Sequence, residues 1–310
     1  MAPPISVAVQ RGPVTEAVHR VHAVAVQDGA VVAEAGDPSL VAFLRSSSKP
    51  IQALPLAHAR DDLTEEDLAI ASASHVGEPA QLDAVRGLLA RAPAREEELE
   101  CGVQEGRPPE PLHHNCSGKH AGMLALCRAN DWPSENYRLP DHPVQRAMLA
   151  AHAEAAEVDP DEIPTATDGC GVVTFALTLE RMAFAFSRFE QLDGGARVAA
   201  AVCAHPRLIG GASGADVQLM EALPGWIAKG GAEGLVCATG PDGLGIALKS
   251  EDGSQRPLRL ALPVFLGRIG LAVDMPNAIP LRNSRAERIG NAVVLSEFAE
   301  KNSPKLVNPV

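Results

Sequence analysis

Apolar and polar positions along the chain fall into a strand-rich beginning, a helical middle and a strand-rich end. Ile5 to Val9 reads as a short strand. Val18–Val26 and Val31–Ala35 are β-rich runs separated by Asp28-Gly29, a strong hairpin signal. Val41–Leu44 then delivers the chain to Arg45-Ser46-Ser47-Ser48-Lys49-Pro50. Thr64 ahead of Glu65-Glu66-Asp67 predicts an N-cap with an acidic first turn, and the helix runs to about Ala73. Pro79 suits the first turn of a second helix carrying Leu82, Val85, Leu88 and Leu89. Gly102–Pro111 is a Gly- and Pro-containing surface loop. Helices are predicted at about His120–Ala129, Pro143–Glu157 and Phe175–Phe189, with a polar, turn-forming patch over Glu162–Thr174. Gly234–Thr239 and Leu244–Ser250 read as strands around Pro241-Asp242-Gly243, and Pro257–Leu271 as a helix. Asn291–Leu295 is a further short element, followed by a helical or frayed tail.

This order predicts an α+β fold with an antiparallel sheet built from both ends of the chain around a central helical region. No composition break divides residues 1–310, so they are read as one unit. Aromatic residues make up only 3% of the chain, so Ala, Val and Leu must build the core. The charge balance, 27 − 39 = −12, opposes non-specific binding to nucleic acid or anionic membranes. Met1-Ala-Pro-Pro-Ile5 does not read as a secretory signal, and no stretch is long and apolar enough to span a bilayer. A cytoplasmic location is expected, in which the six cysteines stay reduced.

Ser46 and Lys49 have the spacing S-x-x-K, which brings an amine to a hydroxyl on one helical or 3₁₀ turn. A neutral lysine can activate a serine toward carbonyl carbon, and the spacing recurs in serine acyl-transfer enzymes. Without context it also fits a solvated loop or a helix cap. Ser74 and His75 fit a cap and a partly exposed histidine, Arg45 a structural cation, and Lys249 a solvated strand end. His113–His120 is the densest polar cluster, and its expected partner is Asp168-Gly169-Cys170-Gly171. Cys116, Cys170 and Asp168 together offer ligands that suit zinc, or turn residues around small packed thiols. Lys119 could join such a site only as a neutral amine.

The segments Arg45–Pro50, Ala73–Glu78, Asn115–His120 and Asp168–Gly171 resemble the motifs of the Rhizobium etli-type L-asparaginases, the asparaginase II family. Val18–His22 and Ala247–Lys249 extend the resemblance toward both ends. It implies an amidohydrolase of serine β-lactamase-like fold, working as a homodimer on L-asparagine. It implies two Ser–Lys pairs, Ser46 with Lys49 and Ser74 with Lys249. It also implies zinc held by Cys116, Lys119 and Cys170, with Asp168 attached directly or through water. Arg45 and His120 would position the substrate. The metal would order Ser117 and His120 or bind the polar end of the substrate. Two alternatives stand beside this one. The first is another serine acyl-transfer enzyme, acting on glutamine or β-lactams, although S-D-N and K-T-G motifs are absent. The second is a non-catalytic zinc or thiol redox protein.

Overall fold

The computed structural model describes residues 2–295. The main sheet joins β1 (Ile5–Arg11), β2 (Val14–Gln27), β3 (Ala30–Ala35), β7 (Ile227–Gly231), β8 (Leu235–Thr239), β9 (Gly245–Ser250), β10 (Ala278–Arg282) and β11 (Arg288–Val294). Its order is β10-β11-β1-β2-β9-β8-β7, with β3 on the far half of β2, and every pairing is antiparallel. The expected α+β arrangement is therefore present: strands from both ends close one sheet, and β2 meets β9 across more than 200 residues of chain. A small second sheet joins β4 (Val41–Phe43), β5 (Thr165–Thr167) and β6 (Val173–Thr178) in the order β4-β6-β5.

The hairpin at Asp28-Gly29 forms as its residues require, both with positive φ, 50° and 76°. The helical region contains α1 (Lys49–Gln52), α2 (Leu54–Ala59), α3 (Glu65–Ala71), α4 (Pro79–Arg91), α5 (Ser117–Ala129) and α6 (Pro143–Ala156). Thr64 caps α3 in a capping box with Asp67, and Pro79 opens α4. The later helices are α7 (Leu179–Ser187), α8 (Gly195–Ala204), α9 (Pro206–Ile209), α10 (Ala215–Ala222) and α11 (Leu258–Arg268).

Several expectations are corrected. Phe175–Phe189 is not one helix: Val173–Thr178 is strand β6, and α7 begins after Thr178, whose side chain accepts from Arg181 N. The β-branched run Val173-Thr174 and the capping threonine outweigh the helical look of the whole segment. The patch at 162–174 contains β5, and Asn291–Leu295 belongs mostly to β11. The expected tail after Leu295 lies outside the described residues. No helix among the described residues is long and apolar enough to cross a membrane.

Packing places the candidate residues. Helix α3 runs beside α5 so closely that a Cβ on Gly118 would lie 2.2 Å from the Ile70 carbonyl oxygen. That approach sets the segment after α3 against the start of α5, where the polar motif 115–120 sits. Gly118→Ala must push the helices apart, and overpacking of this kind costs about 1–3 kcal/mol. A lowered urea midpoint with an unchanged slope is the expected outcome; an unchanged midpoint would deny the close approach.

Candidate active site

The chain leaves β4 and turns sharply at Arg45, whose φ of 50° is unusual for a side chain with a Cβ. Such a conformation costs about 1–3 kcal/mol and persists only where its surroundings hold it. Here they do: Arg45 Nε donates to Asp168 Oδ1 at 2.5 Å. The following 3₁₀ turn, Arg45–Ser48, runs straight into α1. Ser47 Oγ donates to Leu44 O and Ser48 Oγ to Arg45 O, so two of the three serines tie the turn to itself. Ser46 is half-buried, and its hydroxyl makes no hydrogen bond among the described residues.

Lys49 is fully buried. Its Nζ donates to Ala73 O at 2.5 Å and to Ser74 Oγ at 2.9 Å, with no carboxylate in hydrogen-bond contact. Burial lowers its pKa to about 8; Lys119 and Lys229 act in the same direction, against an opposing pull from Cys116 and Cys170. A large fraction of this amine is thus neutral in mildly alkaline solution.

Ser74 and His75 do not form a simple cap with an exposed histidine. Ser74 N donates to Ile209 O and His75 N to Asn115 O, which hold the segment between two other parts of the chain. The His75 ring is fully buried and shares a 2.7 Å hydrogen bond with Ser117 Oγ through Nε2. Burial first, and then nearby Lys49 and Arg107, push its pKa down to about 3, so the imidazole is neutral.

The two polar motifs expected to meet do meet. Cys116, Cys170 and Lys119 are all buried, and Lys119 Nζ lies 3.1 Å from Cys170 Sγ. The hydrogen bond between the thiols lowers the proton affinity of Cys116 and raises that of Cys170, so the pair shares one proton on Cys170. Burial opposes charge on Lys119, but Cys170, Cys116 and Asp168 outweigh it and raise its proton affinity. His120 is buried, its Nδ1 bonded to Tyr137 Oη at 2.8 Å, and its Nε2 has no partner among the described residues. Asp168 Oδ1 is occupied by Arg45 and by Gly169 N.

Comparison with known proteins gives the family. The family model for L-asparaginase II matches residues 7–294. The chain belongs to the L-asparaginase II family. No curated protein matches the sequence. Among solved structures, SurE is 13% identical over 85% of this chain and 74% of its own, with a TM-score of 0.45. A β-lactamase from Mycobacterium bovis is 15% identical over 81% and 95%, at 0.40. The Bacillus subtilis glutaminase YbgJ, in covalent complex with 5-oxo-L-norleucine, is 14% identical over 85% and 93%, at 0.38. At these values the three likenesses carry no argument about chemistry.

In this L-asparaginase II family chain neither expected Ser–Lys pair, Ser46 with Lys49 or Ser74 with Lys249, is joined by a hydrogen bond among the described residues. Ser74 takes its hydrogen bond from Lys49, while Lys249 Nζ donates to Ser250 O. The other buried lysine whose charge acts on Lys49, besides Lys119, is Lys229, which sequence reading missed along with its strand β7. Lys229 pairs across the sheet with Cys237, whose Sγ reaches Ser47 Oγ, so this face looks onto the 45–48 turn. Lys249 stands two strands away and two residues along, roughly 12 Å off by strand geometry. The available signal was Ile227-Ala-Lys-Gly-Gly231, a lysine on the same strand face as Ile227 and Gly231. Tyr137 was not singled out either, because its contacts with His120 and Glu100 N depend on partners well separated from it in the chain.

Among the described residues, no three His, Cys, Asp or Glu side chains are arranged to hold a metal. A metal here therefore depends on Lys119 as the third donor beside Cys116 and Cys170. The donor set fits zinc in kind: two thiols, one of them already favouring the thiolate, and an amine in contact with them. The orphaned Nε2 of His120 marks further polar space nearby.

Lys49 also sets a pH dependence of stability. Its folded pKa, about 8, lies below the unfolded value of 10.5. Its burial therefore costs stability below pH 8, about 3 kcal/mol from the difference in pKa, and the cost is relieved as pH rises from 8 to 10.5. Lys49→Met should raise the denaturation midpoint at pH 7 and flatten its rise between pH 8 and 10. A variant as pH-sensitive as the parent would show that the amine is not desolvated.

Proposed function

We propose that this chain hydrolyses the side-chain amide of L-asparagine to L-aspartate and ammonia through an acyl-enzyme on Ser46. The observation that carries this reading is the buried Lys49 amine, low in proton affinity, one turn beyond Ser46 and bonded to Ser74. Family membership supports amide hydrolysis as the reaction class.

Neutral Lys49 takes the Ser46 proton as Oγ bonds to the carboxamide carbon. The hydroxyls of Ser47 and Ser48 are engaged by main-chain carbonyls of the turn, which leaves that of Ser46 to act. Backbone N–H groups of this turn stabilise the oxyanion, an effect commonly worth about 3 kcal/mol. The C–N bond breaks as nitrogen receives the proton carried by the Lys49–Ser74 pair, and ammonia leaves. A water molecule then gives a proton to Lys49 and its oxygen to the acyl carbon; the C–Oγ bond breaks as Lys49 passes that proton to Ser46 Oγ, and aspartate is released. Arg45 and His120 orient the substrate, Arg45 from its ion pair with Asp168. Cys116, Lys119 and Cys170 would hold zinc, with Asp168 kept at its edge by Arg45; when bound, the ion supplies positive charge beside the site. Because Lys119 must release its proton to serve as a ligand, metal uptake should weaken as pH falls.

Ammonia release from L-asparagine should exceed that from L-glutamine. Ser46→Ala should lower kcat/KM by about 10³-fold or more while leaving the melting temperature near that of the parent. In the parent, kcat/KM should rise with pH toward a plateau above about pH 8, as Lys49 loses its proton. Retained turnover in Ser46→Ala, or a profile flat from pH 6 to 9, would refute the assignment. In a separate measurement, Cys170→Ser should abolish stoichiometric zinc as read by metal analysis; full zinc content in that variant would remove these residues as ligands.

A further inference from the structure

Two buried amines belong to this region, Lys49 just after the 45–48 turn and Lys229 on the strand packed against that turn, and they are not held alike. Lys49 has a carbonyl and a hydroxyl as its hydrogen-bond partners. Lys229 Nζ donates to Gly230 O at 2.8 Å and lies 3.4 Å from Asp216 Oδ2. Both side chains of that ion pair are nearly sealed from solvent, at 2% and 9% exposure.

The Asp216 carboxylate is itself fixed on several sides. Oδ2 accepts from Gly230 N at 2.8 Å and Oδ1 from Val217 N at 2.9 Å. It sits at the start of α10, where unpaired N–H groups favour negative charge. A Cβ on Gly214 would stand 2.4 Å from Oδ1, and one on Gly230 3.1 Å from Oδ2. The glycine-rich run Gly210–Gly214 thus makes room for a carboxylate.

Other charged or titratable groups on the elements packed against β7 have other partners. Glu221 on α10 pairs with Arg207, Arg45 with Asp168, and Arg197 on α8 donates to main-chain carbonyls. Cys237 on β8 donates to Ser47. Among the described residues, Asp216 is the carboxylate in contact with Lys229.

We propose that Asp216 is a positioning residue of this site: it anchors the Lys229 ammonium beside Lys49 and so decides which of the two amines serves as the base. The proposal rests on the amidohydrolase reading for its meaning in catalysis, but its electrostatic content stands apart from turnover. Two ammonium groups in one buried region repel, and the amine with a counter-ion keeps its proton while the other gives it up. Asp216 thereby allots the positive charge to Lys229 and leaves Lys49 free to accept a proton.

The test is side-chain NMR of the full chain labelled at lysine Cε, feasible because the chain has six lysines. The two signals are assigned by their loss in Lys49→Met and Lys229→Met. In the parent, the Lys49 signal titrates near pH 8. In Asp216→Asn the positive charge that acts on Lys49 is no longer anchored, and the Lys49 midpoint should move up by about one pH unit or more. The acid limb of ammonia release should move up with Lys49. A Lys49 midpoint that stays where it is in the parent would overturn the proposal, even if rate and melting temperature both fall, because that is the mark of a merely structural carboxylate. If Asp216→Asn does not fold, Gly214→Ala displaces the carboxylate at a backbone φ of −66°, which alanine accepts. It should move the Lys49 midpoint in the same direction, and an unmoved midpoint would again overturn the proposal. A parent that titrates as described but releases no ammonia would refute the proposed function alone.

Discussion

An amine buried without a carboxylate of its own is the constraint around which this molecule is arranged. Removing an ammonium from water is costly, and proteins usually offset that cost with a paired anion. Lys49 has instead a main-chain carbonyl and a serine hydroxyl, and its preference for the proton falls accordingly. The neutral amine is the form that can accept a proton from an alcohol. In the proposed reading, function follows from leaving one cation uncompensated while Lys229 is paired with Asp216.

The architecture supplies what that arrangement needs. Lys49 lies on α1 and Ser74 just beyond α3, while Lys229 belongs to a strand far along the chain, closed into the sheet through β8 and β9. The left-handed Arg45 is part of the same economy of positions: the turn it opens carries Ser46, and Asp168 holds it there. Strain at one residue is sustained because an ion pair and the start of α1 both require that conformation.

The thiol–lysine cluster adds a second set of balanced charges. Cys116, Cys170 and Lys119 share protons among themselves, and both Lys119 and Cys116 act on Lys49 with opposite signs. A change in the charge of this cluster would therefore be felt at the serine–lysine turn. This links the two motifs electrostatically without requiring any contact between them.

The sequence by itself determined the local parts. The S-x-x-K turn, the Asp-Gly hairpin and the Thr64 cap were legible, because short-range spacing and turn chemistry specify them. So was the sheet built from both ends of the chain, since strand-like runs were visible only there. Tertiary structure alone decided the pairings. Whether Ser74 meets Lys49 or Lys249, whether His75 is exposed or sealed against Ser117, and which lysine's charge acts on Lys49 depend on strand register and helix approach. A lysine in a strand looks the same in sequence whether it ends in solvent or beside another cation. Only the fold sets the distance and the dielectric between them, and those two quantities decide where the proton resides.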